Sequence, residues 1–326
     1  MGELRVDPLS GLRVLFAPER ADRPGAFPTV VPPPAIDAAD DPFVPGHEDQ
    51  TAPELARVGG ADGGWSARAF ENRFPALAPD AQDPPREASL DLFASAAARG
   101  HHEVIVNTPR PVTTLGALGK DELTSAMALW RARMAAHAGA NHVHLHVNEG
   151  PDGGASQAHS HAQLWALDFV PAAVARERER CSAYATRTQG SDLLGDLVAA
   201  EVRMRERLVG HDDEAVLLAP YASRVPFQLM IVPRTQAPRF EAPGVLGAAL
   251  LRRGLRALEA RFGAPPPMTL WVRTAPRGAE HFCWRIDVLP RLFALGGLEL
   301  GTGVHLNPVL PERAAAELRP LAREER

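Results

Sequence analysis

The stretch NEGPDGGASQAHSHAQLWALDF, residues 148–169, decides how this chain is read. Side chains alternate along an extended strand, so His159, His161 and Gln163 share one wall while Ser160, Ala162 and Leu164 face the other way. The preceding turn, Gly153-Gly154-Ala155-Ser156, has small side chains that let backbone N–H groups approach an anion and form a nest for it. A phosphate fits between that turn and that wall. Neutral imidazole, with a reference pKa of about 6.5, is a nucleophile at neutral pH when an acceptor holds its other nitrogen. Its attack on phosphorus gives a phosphoramidate reactive enough to pass a nucleotide onward. The Gln163 amide and the Ser156 hydroxyl are placed to donate to non-bridging oxygens as charge develops there. An H-x-H pair by itself also suits a metal site or a purely structural role. The small-residue turn before it and the glutamine after it favour phosphate chemistry.

Working outward, HEVIVNTP after Gly100 reads as a strand, and Glu122 to Ala138 as a helix with Leu123, Met127, Trp130 and Met134 on one face. His142 to Asn148 and about His159 to Phe169 read as two further strands. His142, His144 and His146 alternate along the first of these as a polar stripe or a partner-facing surface, and His101 and His102 read as loop residues. The second half repeats the order: AVLLAP, PFQLMIVP, a helix near Val245 to Phe262, MTLWVRT and HFCWRIDVLP. Two similar halves, 1–178 and 179–326, predict a duplicated α/β unit within an α+β fold. Prolines crowd residues 18 to 85, which predicts coil with short strands. Arg176-Glu-Arg-Glu-Arg180 reads as a solvated helix face.

Composition narrows the chemistry. The 326 residues hold 35 Lys+Arg against 40 Asp+Glu, a net charge of -5, so the overall field disfavours nonspecific nucleic-acid binding. Lys120 is the one lysine, and no P-loop motif surrounds it. Cys181 and Cys283 stand far apart with no C-x-x-C, which gives neither a disulfide framework nor a cysteine zinc cluster and predicts a reducing cytoplasm. With no apolar run of signal-peptide or membrane-spanning length, a soluble protein without membrane contact is expected.

Taken together, these motifs resemble the galactose-1-phosphate uridylyltransferase family, the nucleotidyltransferase branch of the histidine-triad superfamily. The spacing from Asn148 through GGAS to HSHAQ resembles its active-site segment. LRVDPLSGLRVLFAPERADRP resembles its opening strand and R-x-x-R-P turn, and FENRFPAL its nucleotide-contacting segment. PFQLMIVPR and WRIDVLPRLFALGGLELGTGVHLNPVLPERAAAELR are similar to its C-terminal half. The resemblance implies His161 as the nucleophile, with Gln163 and Ser156 on the transferred phosphate and His159 beside them. It implies nucleoside contacts at Asn72, Arg73 and Phe74, N-terminal arginines at Arg20 and Arg23, and phosphate-side contacts at Asn148, Gly153, Gly154 and Ala155. Glu299 to Asn307, with His305 between them, would border the sugar.

Members of this family often hold a structural zinc through a C-x-x-C pair, a further histidine and the first histidine of the triad. Here Asp41 and Val44 replace the cysteines, Pro111 falls at the third position, and His159 alone remains. At a second family metal site Cys283, Arg285 and Asp287 stand where histidines are expected, with Glu177 retained. No metal cofactor is therefore expected. The second repeat lacks a nucleophilic imidazole, although its arginine is free to bind a substrate phosphate. The implied architecture is a two-repeat fold of antiparallel half-barrel sheets with packed helices, assembled as a homodimer with active sites at the subunit interface. The implied activity is ping-pong transfer of a nucleoside monophosphate, UMP, between sugar 1-phosphates, with a nucleotide sugar and a sugar 1-phosphate as substrates. Three alternatives stay open: an NDP-sugar or dinucleoside polyphosphate phosphorylase using the same histidine, a noncatalytic nucleotide-binding protein, and a metal-dependent enzyme with His159 and His161 as ligands.

Overall fold

The computed structural model describes residues 2–23, 27–60, 63–84 and 92–323. After a hairpin of β1 (Glu3–Val6) and β2 (Arg13–Phe16), the chain runs through proline-rich coil to β3 (Glu54–Gly59) and β4 (Trp65–Glu71). β5 (Gly100–Val106), α1 (Lys120–Ala136), β6 (His142–Glu149) and β7 (His161–Leu167) complete the first repeat. Two linking helices follow, α2 (Ala172–Thr188) and α3 (Leu193–Met204). The second repeat is β8 (Leu208–His211), β9 (Ala215–Leu218), β10 (Leu229–Pro233), α4 (Ala248–Phe262), β11 (Met268–Arg273) and β12 (Arg285–Pro290). The chain ends with α5 (Gly297–Thr302), β13 (His305–Asn307) and α6 (Pro311–Leu318).

Ten strands form one antiparallel sheet in the order β3-β4-β5-β7-β6-β11-β12-β10-β9-β8. That order reads the same from either end once the second repeat is overlaid on the first. The duplication expected from element order is thus present, with the repeats joined through β6 and β11 rather than kept as separate sheets. Residue 178 lies within α2. β13 pairs in parallel with β2, so the C-terminal segment closes a small three-stranded sheet begun at the N-terminus.

Alternation gives the large sheet two unlike faces. Val143, Leu145, Val147, Ala162, Leu164, Leu270, Val272, Ile286 and Val288 belong to one buried apolar cluster with α1 and α4. α1 fits because Leu123, Met127, Trp130 and Met134 recur at helical spacing and are all buried. Its first turn is closed by Glu122, whose carboxylate accepts the Gly119 N–H (2.8 Å). Burial of one such side chain contributes about 1.5–3 kcal/mol. On the opposite face the same strands present His142, His144, His146, Gln163, Trp165, Trp271, Arg273, Arg285 and Asp287. Polar and aromatic side chains therefore collect on the face opposite α1 and α4. Among the described residues no helix is long and apolar enough to cross a membrane.

Candidate active site

His161 opens β7 on the polar face and is 5% exposed. Its Nδ1–H donates to the His159 carbonyl (2.8 Å), which leaves the Nε2 lone pair as the reactive position. Burial lowers its pKa; the His159 carbonyl and Asp41 oppose that shift, and His159 reinforces it. The ring is neutral at pH 7, as a nucleophile requires. His159 precedes the strand, so its side chain leaves the shared wall expected for it and points into a separate contact. Its Nδ1 donates to the Asp41 carboxylate (2.6 Å) and its Nε2 to the Thr108 carbonyl (2.8 Å). Phe43 stands edge-on to both imidazoles, with ring centroids 5.9 and 5.5 Å away.

Gln163 sits one strand pair further along, opposite His146 on β6 and Val104 on β5. Its Oε1 lies 3.0 Å from His102 Nε2, and Asn72 Nδ2 lies 3.1 Å from the same nitrogen. That nitrogen serves one partner at a time: protonated it donates to Gln163, unprotonated it accepts from Asn72. In the first state the Gln163 amino group is free to meet a phosphate oxygen. His102 also stacks on Trp165, centroids 3.6 Å apart. The loop reading of His101 and His102 is therefore corrected, since both lie in β5. The overlooked signal was the alternation of His102 with Val104 and Val106, which puts His102 on the face of Trp165 and Gln163. Asn72 folds into a turn in which its Oδ1 accepts the Phe74 N–H (2.8 Å), leaving Phe74 83% exposed with Arg73 over its ring. An exposed aromatic beside an ordered amide suits the face of a nucleobase.

The glycine turn has a different physical basis from the expected anion nest. The N–H groups of Gly153 and Ala155 donate to the Gly150 carbonyl and that of Gly154 to Pro151, so the turn's own bonds occupy them. A Cβ on Gly153 would stand 2.5 Å from the Met268 carbonyl oxygen, which makes glycine necessary for packing against β11. Gly154 has φ +88°, and its carbonyl accepts the Asn148 amide (3.3 Å). Ser156 is exposed in the bend that leads to His159.

A second group of expected residues assembles elsewhere. Arg20, Arg23, Glu299 and His305 line a cavity of about 390 Å³ together with Arg224. None of its lining residues belongs to the group around His161. Glu299 is held in place by the Gly296 and Leu306 N–H groups (3.0 and 3.2 Å). Asn307 departs from the expected surface position: it is fully buried, donates to the Ser223 carbonyl (2.8 Å) and accepts the Val309 N–H (2.9 Å), so its side chain is committed to the fold.

The remaining residues do not fit a metal at either family position. Both His159 nitrogens already face oxygen atoms of the fold, the Asp41 carboxylate and the Thr108 carbonyl, and Val44 is a buried aliphatic with no donor atom. In the second repeat Arg285 lies buried between Glu177, which accepts its Nη1 and Nη2, and Asp287, which accepts its Nε (3.0 Å). Arg273 approaches Glu177 at 3.4 Å. Burial opposes ionisation of Glu177, but Arg285 and Arg273 outweigh it and its pKa is lowered. Arg285 is thus committed to carboxylates, which corrects the expectation that it is free for a substrate phosphate. Glu177 is 2% exposed, so it also departs from the solvated face expected for Arg176 to Arg180. Cys181 and Cys283 are buried and free, their thiols pushed up to about 12 and about 11 by burial. Among the described residues no group of three or more His, Cys, Asp or Glu is placed to hold a metal ion.

Comparison with known proteins gives consistent matches over the whole chain. An ADP-glucose phosphorylase from Arabidopsis thaliana is 28% identical over 333 residues, covering 98% of this chain and 93% of that protein. A galactose-1-phosphate uridylyltransferase from Cryptococcus neoformans is 28% identical over 348 residues, covering 97% and 89%. A crystal structure of an Arabidopsis thaliana ADP-glucose phosphorylase with bound ADP-glucose superposes with a TM-score of 0.81 at 28% identity, covering 98% of each chain. The model of the galactose-1-phosphate uridyl transferase N-terminal domain matches residues 1–171, the segment that contains His161, Gln163 and Asn72. By that match, the chain belongs to the galactose-1-phosphate uridyl transferase family.

Proposed function

We propose that the protein is a nucleotidyltransferase that moves a nucleoside monophosphate, UMP, between sugar 1-phosphates through a covalent nucleotidyl-His161. The observation that carries this reading is the state of His161: buried, neutral, with Nδ1–H held by the His159 carbonyl and Nε2 left as a nucleophile. In the first step Nε2 attacks the α-phosphorus of the nucleotide sugar, a P–N bond forms, and the P–O bond to the departing sugar 1-phosphate breaks. In the second step an oxygen of the incoming sugar 1-phosphate attacks phosphorus and the P–N bond breaks, restoring the imidazole. Gln163 donates to the phosphoryl oxygens in both steps, and the Asn72–Phe74 turn receives the base. No metal takes part.

Arg20, Arg23, Glu299 and His305 contribute the sugar-phosphate side from the partner protomer of a homodimer. Support comes from the separation of their cavity's lining from the His161 group. Residues 1–178 then act as the catalytic repeat, and 179–326 supply sugar-phosphate and dimer contacts. Two buried free thiols fit a cytoplasmic setting.

A second reading is favoured by the full-length similarity to an ADP-glucose phosphorylase: the nucleotide is AMP and inorganic phosphate is the acceptor. Intact-protein mass spectrometry after exposure to UDP-glucose or ADP-glucose separates the two. A uridylyl adduct on His161 discharged by galactose 1-phosphate supports the first reading, and an adenylyl adduct discharged by phosphate supports the second. Failure of every nucleotide sugar to label the protein would overturn both.

A further inference from the structure

The imidazole that attacks is oriented by one hydrogen bond, from its Nδ1–H to the carbonyl of His159. That carbonyl lies outside β7, so the strand ladder does not fix it. Its peptide plane is pinned at one edge, where the Ser160 N–H donates to the Val112 carbonyl (2.8 Å). A plane pinned at one edge still rocks about that edge. The second pin is the His159 ring, tied at Nδ1 to Asp41 and at Nε2 to the Thr108 carbonyl. Asp41 lies 118 residues earlier in sequence and is itself fastened: its Oδ1 accepts the Phe43 N–H (3.0 Å), and its carbonyl lies 2.7 Å from His47 Nδ1. Phe43 then closes over both histidine rings. The segment from Asp41 to His47 is therefore a clamp on the chain just before β7, joined to it through the Asp41–His159 pair.

We propose that Asp41 is a positioning residue for His161: through the His159 side chain it fixes the carbonyl that decides which His161 nitrogen faces the phosphate. The pair joins two segments 118 residues apart through two side chains. This rests on the reading of His161 as the nucleophile.

The test compares wild type with Asp41→Ala and Asp41→Asn in the full-length protein. The first measurement is single-turnover labelling of His161 by UDP-glucose or ADP-glucose. Asp41→Ala is expected to slow labelling on the order of 10- to 100-fold, the scale of a small misplacement of a reacting group, with the KM for nucleotide sugar within about twofold. Asp41→Asn, which keeps an acceptor for His159, is expected to recover most of that loss. The second measurement, long-range nitrogen–proton NMR of the imidazoles, needs no turnover. Wild type should show His161 as a single Nδ1–H tautomer and Asp41→Ala a mixture. Wild-type labelling with an unchanged His161 spectrum in Asp41→Ala would overturn the proposal. So would a loss of labelling in both variants that follows melting temperature while the tautomer stays fixed. Should Asp41→Ala fail to fold, the spectrum and labelling rate of Asp41→Asn decide between the same outcomes. If no donor labels wild type, the functional reading fails, and the spectra still decide the role of Asp41.

Discussion

The two halves of the polar sheet face occupy matching places in the duplicated scaffold and solve burial in opposite ways. On β6 and β7 the buried groups are imidazoles, which shed their charge when desolvated and keep a lone pair for chemistry. On β11 and β12 they are guanidiniums, which keep their charge and must be matched by carboxylates, here Glu177 and Asp287. One fold therefore holds neutral bases with free lone pairs on one side of the seam and paired cations on the other. Residue type, rather than strand geometry, sets the chemistry open to each copy.

The largest effect that sharpens this contrast is expected from His161→Ala. It should lower turnover on the order of 10⁴-fold or more, as loss of a covalent nucleophile does, with little change in stability. Steady-state rates beside a denaturation curve check both parts, and appreciable residual turnover would break the division of labour. Next is Glu177→Ala, which leaves Arg285 and Arg273 buried without their shared carboxylate. A loss of about 3–5 kcal/mol is expected from urea unfolding. If the folded fraction of this variant still labels at the wild-type rate, the second half is a brace and nothing more.

The smallest effect concerns acid. His142 and His146 are each pushed down to about 4, burial being the main cause, against about 6.5 in the unfolded chain. Between those values the unfolded state binds more protons, so the contribution to stability is full above pH 6.5 and declines as pH falls toward 4. Unfolding midpoints at pH 7 and pH 5 should differ in wild type and differ less in His146→Gln. An unchanged difference would show that the imidazole half does not set the acid limit.

Much of this was legible in the sequence where a short period was enough. The alternation in HAQLWAL and the helical recurrence of Leu123, Met127, Trp130 and Met134 placed β7 and α1 to within a few residues. The contacts around His161 were less legible because they join distant segments. Asp41 and Phe43 come from proline-rich coil with no periodic signal, and His102 depends on the pairing of β5 with β7. Glu177 read as solvated because a charged run gives no sign that one member meets a buried arginine from another strand. Gly153 read as a phosphate loop because packing against Met268 and approach to an anion demand the same missing side chain.

A ten-strand order that is symmetric about the β6–β11 seam is what two identical five-stranded subunits produce when they meet edge to edge. Fusing such a pair into one polypeptide releases each copy from the requirement of sameness. In this chain the two sides of that seam carry different residues on matching strands, His144 and His146 on β6 against Trp271 and Arg273 on β11, so the symmetry of the backbone is not a symmetry of chemistry.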